Sequence, residues 1–83
     1  MPPPAWYAHP PKGMKIITSG AQGVRMFCHQ SEYGCAILKG AAYNGKPLRC
    51  LVVARSDVPA ALQRDIVNHE IAHCNGWRHP SAQ

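Results

Sequence analysis

Residues 69–79 read His-Glu-Ile-Ala-His-Cys-Asn-Gly-Trp-Arg-His, and this string constrains the chain more than any other part of it. Histidines four apart on a helix project from one face, one turn above the other, so His69 and His73 can share a single zinc ion. Glu70 lies between them, where its carboxylate can take a proton from water activated at that ion. Gly76 follows three residues after His73 and lets the chain leave the helix, so that His79 swings back as a third nitrogen ligand. Three imidazoles leave one tetrahedral position open, which separates a catalytic zinc site from a closed structural one. The string therefore needs a helix that stops at Gly76 and a sheet to hold that helix in place.

The upstream sequence supplies both. Ser56-Asp57-Val58-Pro59 opens the helix: Pro59 suits the first turn, where its missing N–H costs nothing, and Ser56 or Asp57 can accept the orphan amides. On a helical wheel Leu62, Ile66, His69 and His73 share a narrow arc. Val67, Ile71 and Cys74 form a second apolar arc, with Glu70 between the two and Arg64, Asn68 and Asn75 on the polar side. One arc packs on a sheet while the other opens into a cleft. Cys74, about 100° from His73, belongs to the packing arc rather than to the ligand set. Leu48 to Ala54 is an unbroken apolar run and predicts an inner strand covered on both faces. Asn44-Gly45 marks a tight turn before it, Tyr33 to Leu38 a second strand, and Lys15 to Thr18 a third. Val24 to Cys28 reads as a further short strand. The sum is an α+β fold: a small mixed or antiparallel sheet of three to four strands packed on one long helix.

The rest of the chain bounds what surrounds the site. Residues 1–14 hold five of the eight prolines and form an extended arm; residues 15–83 form a single metal-binding domain. The arm reads as a poorly ordered terminus anchored on the domain surface by Trp6 and Tyr7; the alternative is an arm that crosses or covers the cleft through His9. A domain of 83 residues buries little core, so a bound metal contributes to its fold as well as to its chemistry. The net charge is +5, but the nine Lys and Arg are scattered singly with no basic stripe, which argues against nucleic acid as the partner. No segment is long and apolar enough for a membrane helix. The start lacks the pattern of a secretory signal, so the chain is expected to be cytoplasmic or already processed. Cys28, Cys35, Cys50 and Cys74 have spacings that match no knuckle, and reduced, mostly buried thiols are at least as consistent with that compartment as bridges. Trp77 either shields the turn or walls a substrate pocket.

The string at 69–79 resembles the extended zinc signature of the metzincin clan of metallopeptidases. The resemblance implies a zinc-dependent peptidase, in which His69, His73 and His79 hold the metal and Glu70 is the general base. It also implies a mixed sheet whose antiparallel edge strand, here Tyr33 to Leu38, pairs with a peptide or protein substrate. Metzincins carry a further subdomain after the third histidine, with a methionine-containing turn beneath the metal. Pro80 to Gln83 follow here, and Met14 and Met26 lie upstream of the motif. The resemblance thus implies a minimal enzyme or one whose floor comes from a protein partner. A transition-state tyrosine would have to be Tyr7, Tyr33 or Tyr43, or be absent. The rival reading is a small zinc-stabilised module, without enzymatic activity, that binds a protein or nucleic acid.

Overall fold

A computed structural model describes residues 1–80, apart from the side chains at 39–41, 43 and 46. Three strands, β1 (Met14–Ser19), β2 (Gly34–Tyr43) and β3 (Lys46–Arg55), and two helices, α1 (Ala21–Phe27) and α2 (Ala60–Cys74), follow a 3₁₀ turn at Pro4–Trp6. The sheet order is β1-β3-β2, with β1 parallel and β2 antiparallel to β3. The α+β fold with a mixed three-stranded sheet on a helix is therefore present, and β3 is its inner strand as the apolar run at 48–54 requires.

The two faces of β3 are divided by strand alternation. Leu51 and Val53 join Val24 of α1 and Cys28 at its C-terminal cap in one core cluster, with Ile17, Cys35 and Ile37 packed against it. Cys50, Val52 and Ala54 face the other way, toward the side where Ile66, Ile71 and Ala72 of α2 are buried. The turn into β3 takes positive φ at Asn44 (53°) and Gly45 (76°), as a two-residue hairpin turn demands. Gly34, at the start of β2, lets α2 approach closely. A Cβ there would lie 2.5 Å from the Val53 carbonyl oxygen and 2.9 Å from Ile66 Cγ2.

Three expectations are corrected. Residues 24–28 belong to a helix and its cap, not a strand. Val24 (0% exposed) and Cys28 (6%) are the buried residues of this segment and lie four apart, which is the helical period, while Met26 and Phe27 remain exposed. Asp57 does not cap α2. Its carboxylate is held by Arg55, through Nε at 2.5 Å and Nη2 at 3.1 Å, and Pro59 occupies the cap position rather than the first turn. The cysteines are not reduced: Cys28 bonds to Cys35 and Cys50 to Cys74. Cys74 does point at the sheet, but what it meets there is another thiol. The first bridge fixes the end of α1 to the start of β2, and the second fixes the last residue of α2 to the inner strand. No helix among the described residues is long and apolar enough to cross a membrane.

Candidate metal centre

Helix α2 ends in a geometry that its sequence dictates. Gly76 takes φ 99°, a left-handed conformation that side chains resist. The Gly76 amide then donates to the His73 carbonyl (3.0 Å) and the Trp77 amide to the Ala72 carbonyl (2.9 Å), the paired bonds of a Schellman motif. Trp77 and Ala72 are both buried, which anchors the turn. The chain is thereby reversed, and His79 comes back over the face that carries His69 and His73.

The three histidines named by the motif are brought together. One nitrogen from each of His69, His73 and His79 lies within 4.8 Å of the others, and they form the one such group of His, Cys, Asp or Glu side chains among the described residues. His9 and His29 stand outside it. His69 Nε2 and His73 Nε2 are 3.2 Å apart. Two nitrogens each about 2.1 Å from a tetrahedral zinc would be separated by about 3.4 Å, so this pair already has ligand spacing. His73 Nδ1 lies 2.8 Å from the Trp77 carbonyl oxygen. A carbonyl only accepts, so Nδ1 carries the proton in the neutral ring and the Nε2 lone pair is left facing His69 and His79. Such a bond to the ring's other nitrogen is what orients metal-ligating histidines. No side chain announces it in the sequence, because the acceptor is main chain.

Trp77 sits among the imidazoles, with its ring centroid 5.4, 5.2 and 4.9 Å from those of His69, His73 and His79. Trp77 is buried under the turn and also lines the cleft above it. Burial, followed by the charges of His73 and His79, holds His69 below the ordinary histidine range, which favours the neutral, ligating form. The donor set, its spacing and the fixed tautomer of His73 together suit a metal ion held by three imidazole nitrogens.

The cleft, of about 660 Å³, is lined by the three histidines, Glu70, Trp77 and Arg78 on one side and by Ser31 and β2 on the other. Consecutive β2 residues Gly34, Cys35 and Ala36 all line it. Neighbouring strand residues alternate faces, so the strand turns its edge to the cleft. The Arg55 amide donates to the Tyr33 carbonyl at 2.9 Å, and the register runs on through Cys35↔Val53 and Ile37↔Leu51. By the alternation of an antiparallel ladder, the main-chain groups of Gly34, Ala36 and Leu38 point away from β3. Ser31 Oγ accepts the Gly34 amide at 3.2 Å. Among the described residues no main-chain bond outside the β2–β3 ladder reaches Ala36 or Leu38. A second pocket adjoins the cleft at the start of β2, where Tyr33, Leu62 and Ile66 meet Asp65, His69 and Glu70. Tyr33 lines this second pocket, and the side chain of Tyr43 lies outside the described residues.

Glu70 lines both pockets. Burial pushes its carboxyl up to about 7. The folded metal-free protein therefore binds more protons than the unfolded chain between pH ~4.5 and ~7, and its stability falls as pH rises through that window. The loss should be about 2 kcal/mol once screening by the water that reaches this half-buried group is allowed for. Urea unfolding of metal-free wild type and Glu70→Gln across pH 4–7 measures it. The variant should show a flatter pH dependence, and identical slopes would place the carboxylate in solvent.

No known protein family matches the chain, and no curated protein or solved structure is significantly similar to it.

Proposed function

We propose that the chain is a zinc-dependent metallopeptidase of metzincin type, a hydrolase in which His69, His73 and His79 hold the metal and Glu70 is the general base. The observation that carries this reading is the 3.2 Å approach of the His69 and His73 Nε2 atoms, with the tautomer of His73 set from behind by the Trp77 carbonyl. Zinc bound there would supply a Lewis acid that lowers the pKa of water to about 7 and offsets charge developing on a carbonyl oxygen. The remaining work falls to the chain itself. Glu70 takes the proton of the attacking water and passes it to the leaving amine, and a carboxyl poised near neutrality is suited to both transfers. A dication nearby would favour its ionised form in the resting site.

The outward amides and carbonyls of Ala36 and Leu38 supply a main-chain template for an extended peptide, which orients a scissile carbonyl without a deep cleft. A peptide added antiparallel to β2 runs from Leu38 toward Gly34. The pocket of Tyr33, Leu62 and Ile66, at the start of β2, then receives the side chain that follows the cut bond.

The two disulfides support an oxidising compartment in place of the cytoplasm expected from the sequence, since such bonds form and persist where thiols are not kept reduced.

Zinc titration into metal-free protein tests the reading. Wild type should saturate at roughly one equivalent, and His79→Ala should bind at least about tenfold more weakly, because a third ligand is lost. Absence of saturable binding would remove the metal site altogether. Unaltered affinity in His79→Ala would put the third ligand elsewhere.

A further inference from the structure

The N-terminal arm is hydrogen-bonded to the end of α2. Its 3₁₀ turn is closed by the amides of Trp6, Tyr7 and Ala8 donating to Pro3 and Pro4 carbonyls, at 3.0, 3.1 and 3.0 Å. The turn sets two carbonyls toward the same point. Asn75 Nδ2 donates to the Trp6 carbonyl at 2.9 Å and to the His9 carbonyl at 3.1 Å. A side-chain amide has two N–H groups, so both are spent on the arm. His9 meets the end of α2 through its main-chain carbonyl.

Asn75 stands between the helix that carries His69 and His73 and the glycine turn that delivers His79. Its own backbone, at φ −90° and ψ 3°, suits any residue, and the left-handed step is taken by Gly76. The conformation of the turn therefore does not require asparagine at 75, whereas the arm does. We infer that the arm is a working part of the metal centre: Asn75 clasps Trp6 and His9 to the helix end, and this clasp positions the turn that presents His79. Asn75 is a positioning residue in this account and touches no metal. The inference rests on the metal-site reading above.

Coupling of this kind is reciprocal, because whatever the arm contributes to zinc affinity zinc must return to the order of the arm. In the full chain, zinc should slow hydrogen exchange at the Trp6, Tyr7 and Ala8 amides. Asn75→Asp keeps the side-chain shape but turns an acceptor toward two carbonyls. It should lower zinc affinity about tenfold in chelator competition, the range seen when a supporting contact to a ligand is lost. It should also abolish the zinc-dependent protection of the arm and shift the visible spectrum of the cobalt(II) form away from that of the wild type. A purely structural asparagine would lower the melting temperature without moving that spectrum or that protection. If Asn75→Asp does not fold, the exchange measurement on wild type decides alone. Wild type that binds zinc with no change in arm exchange, or Asn75→Asp with wild-type affinity, overturns the clasp and leaves the metal site standing. Wild type that binds no zinc overturns the metal reading first.

Discussion

Glu70→Gln should reduce peptide hydrolysis by about 10³-fold while leaving zinc affinity and the fold as they are. Glutamine has the same shape and fills the same wall of the cleft, but it cannot accept the proton of the attacking water. The three nitrogens are supplied by other side chains, so the metal should stay. The substitution also removes a carboxyl whose ionisation burial opposes, so the metal-free variant should melt above wild type at pH 7. That combination of a dead, loaded and more stable protein is specific to a buried general base. A variant with wild-type turnover would assign the proton transfer to another group. Wild type that binds zinc yet cleaves no member of a diverse peptide library would favour the zinc-stabilised binding module.

Removing the Cys50–Cys74 bridge should be the most damaging change to stability. It closes the longer of the two loops, with a sequence separation of 24 against 7 for Cys28–Cys35. Chain-entropy arguments give about 3.5 kcal/mol for the longer loop and about 2.5 for the shorter. For a domain of this size the former is a large share of the total and corresponds to roughly 15–25 °C in melting temperature. The bridge also fixes the residue next to His73 to the inner strand, so the Cys50→Ala, Cys74→Ala double variant should bind zinc more weakly as well. Calorimetry of the double variant beside Cys28→Ala, Cys35→Ala would measure both. A shift of only a few degrees for the first pair would mean that packing of α2 on β3 is sufficient without the covalent tie.

How much of this was legible beforehand follows from where the information lies. Helix α2 and its stop at Gly76 were readable because apolar periodicity and a glycine requirement are local properties. The hairpin at Asn44-Gly45 and the inner strand were readable for the same reason. The motif named His69, Glu70, His73 and His79, and the three histidines do converge. What escaped depends on contacts between distant segments. Val24 to Cys28 has strand-like composition, and only its docking on Leu51 and Val53 chooses the helix. The cysteine pairing follows from which face of β3 each thiol reaches, which spacing alone does not encode. The supports behind the site, namely the Trp77 carbonyl, the close approach at Gly34 and the reach of Asn75 to the arm, are main-chain or long-range features with no sequence signature. Asp57 was drawn away from its expected cap because Arg55, two residues back, offers a bidentate partner.

The whole account depends on a shared ion, and crystals grown with saturating zinc and measured on both sides of the zinc absorption edge test that directly. The predicted result is one anomalous peak per chain, about 2.1 Å from a nitrogen of each of His69, His73 and His79, with solvent at the fourth corner. Imidazoles that turn apart at full zinc, or a fourth protein atom in that corner, would contradict it.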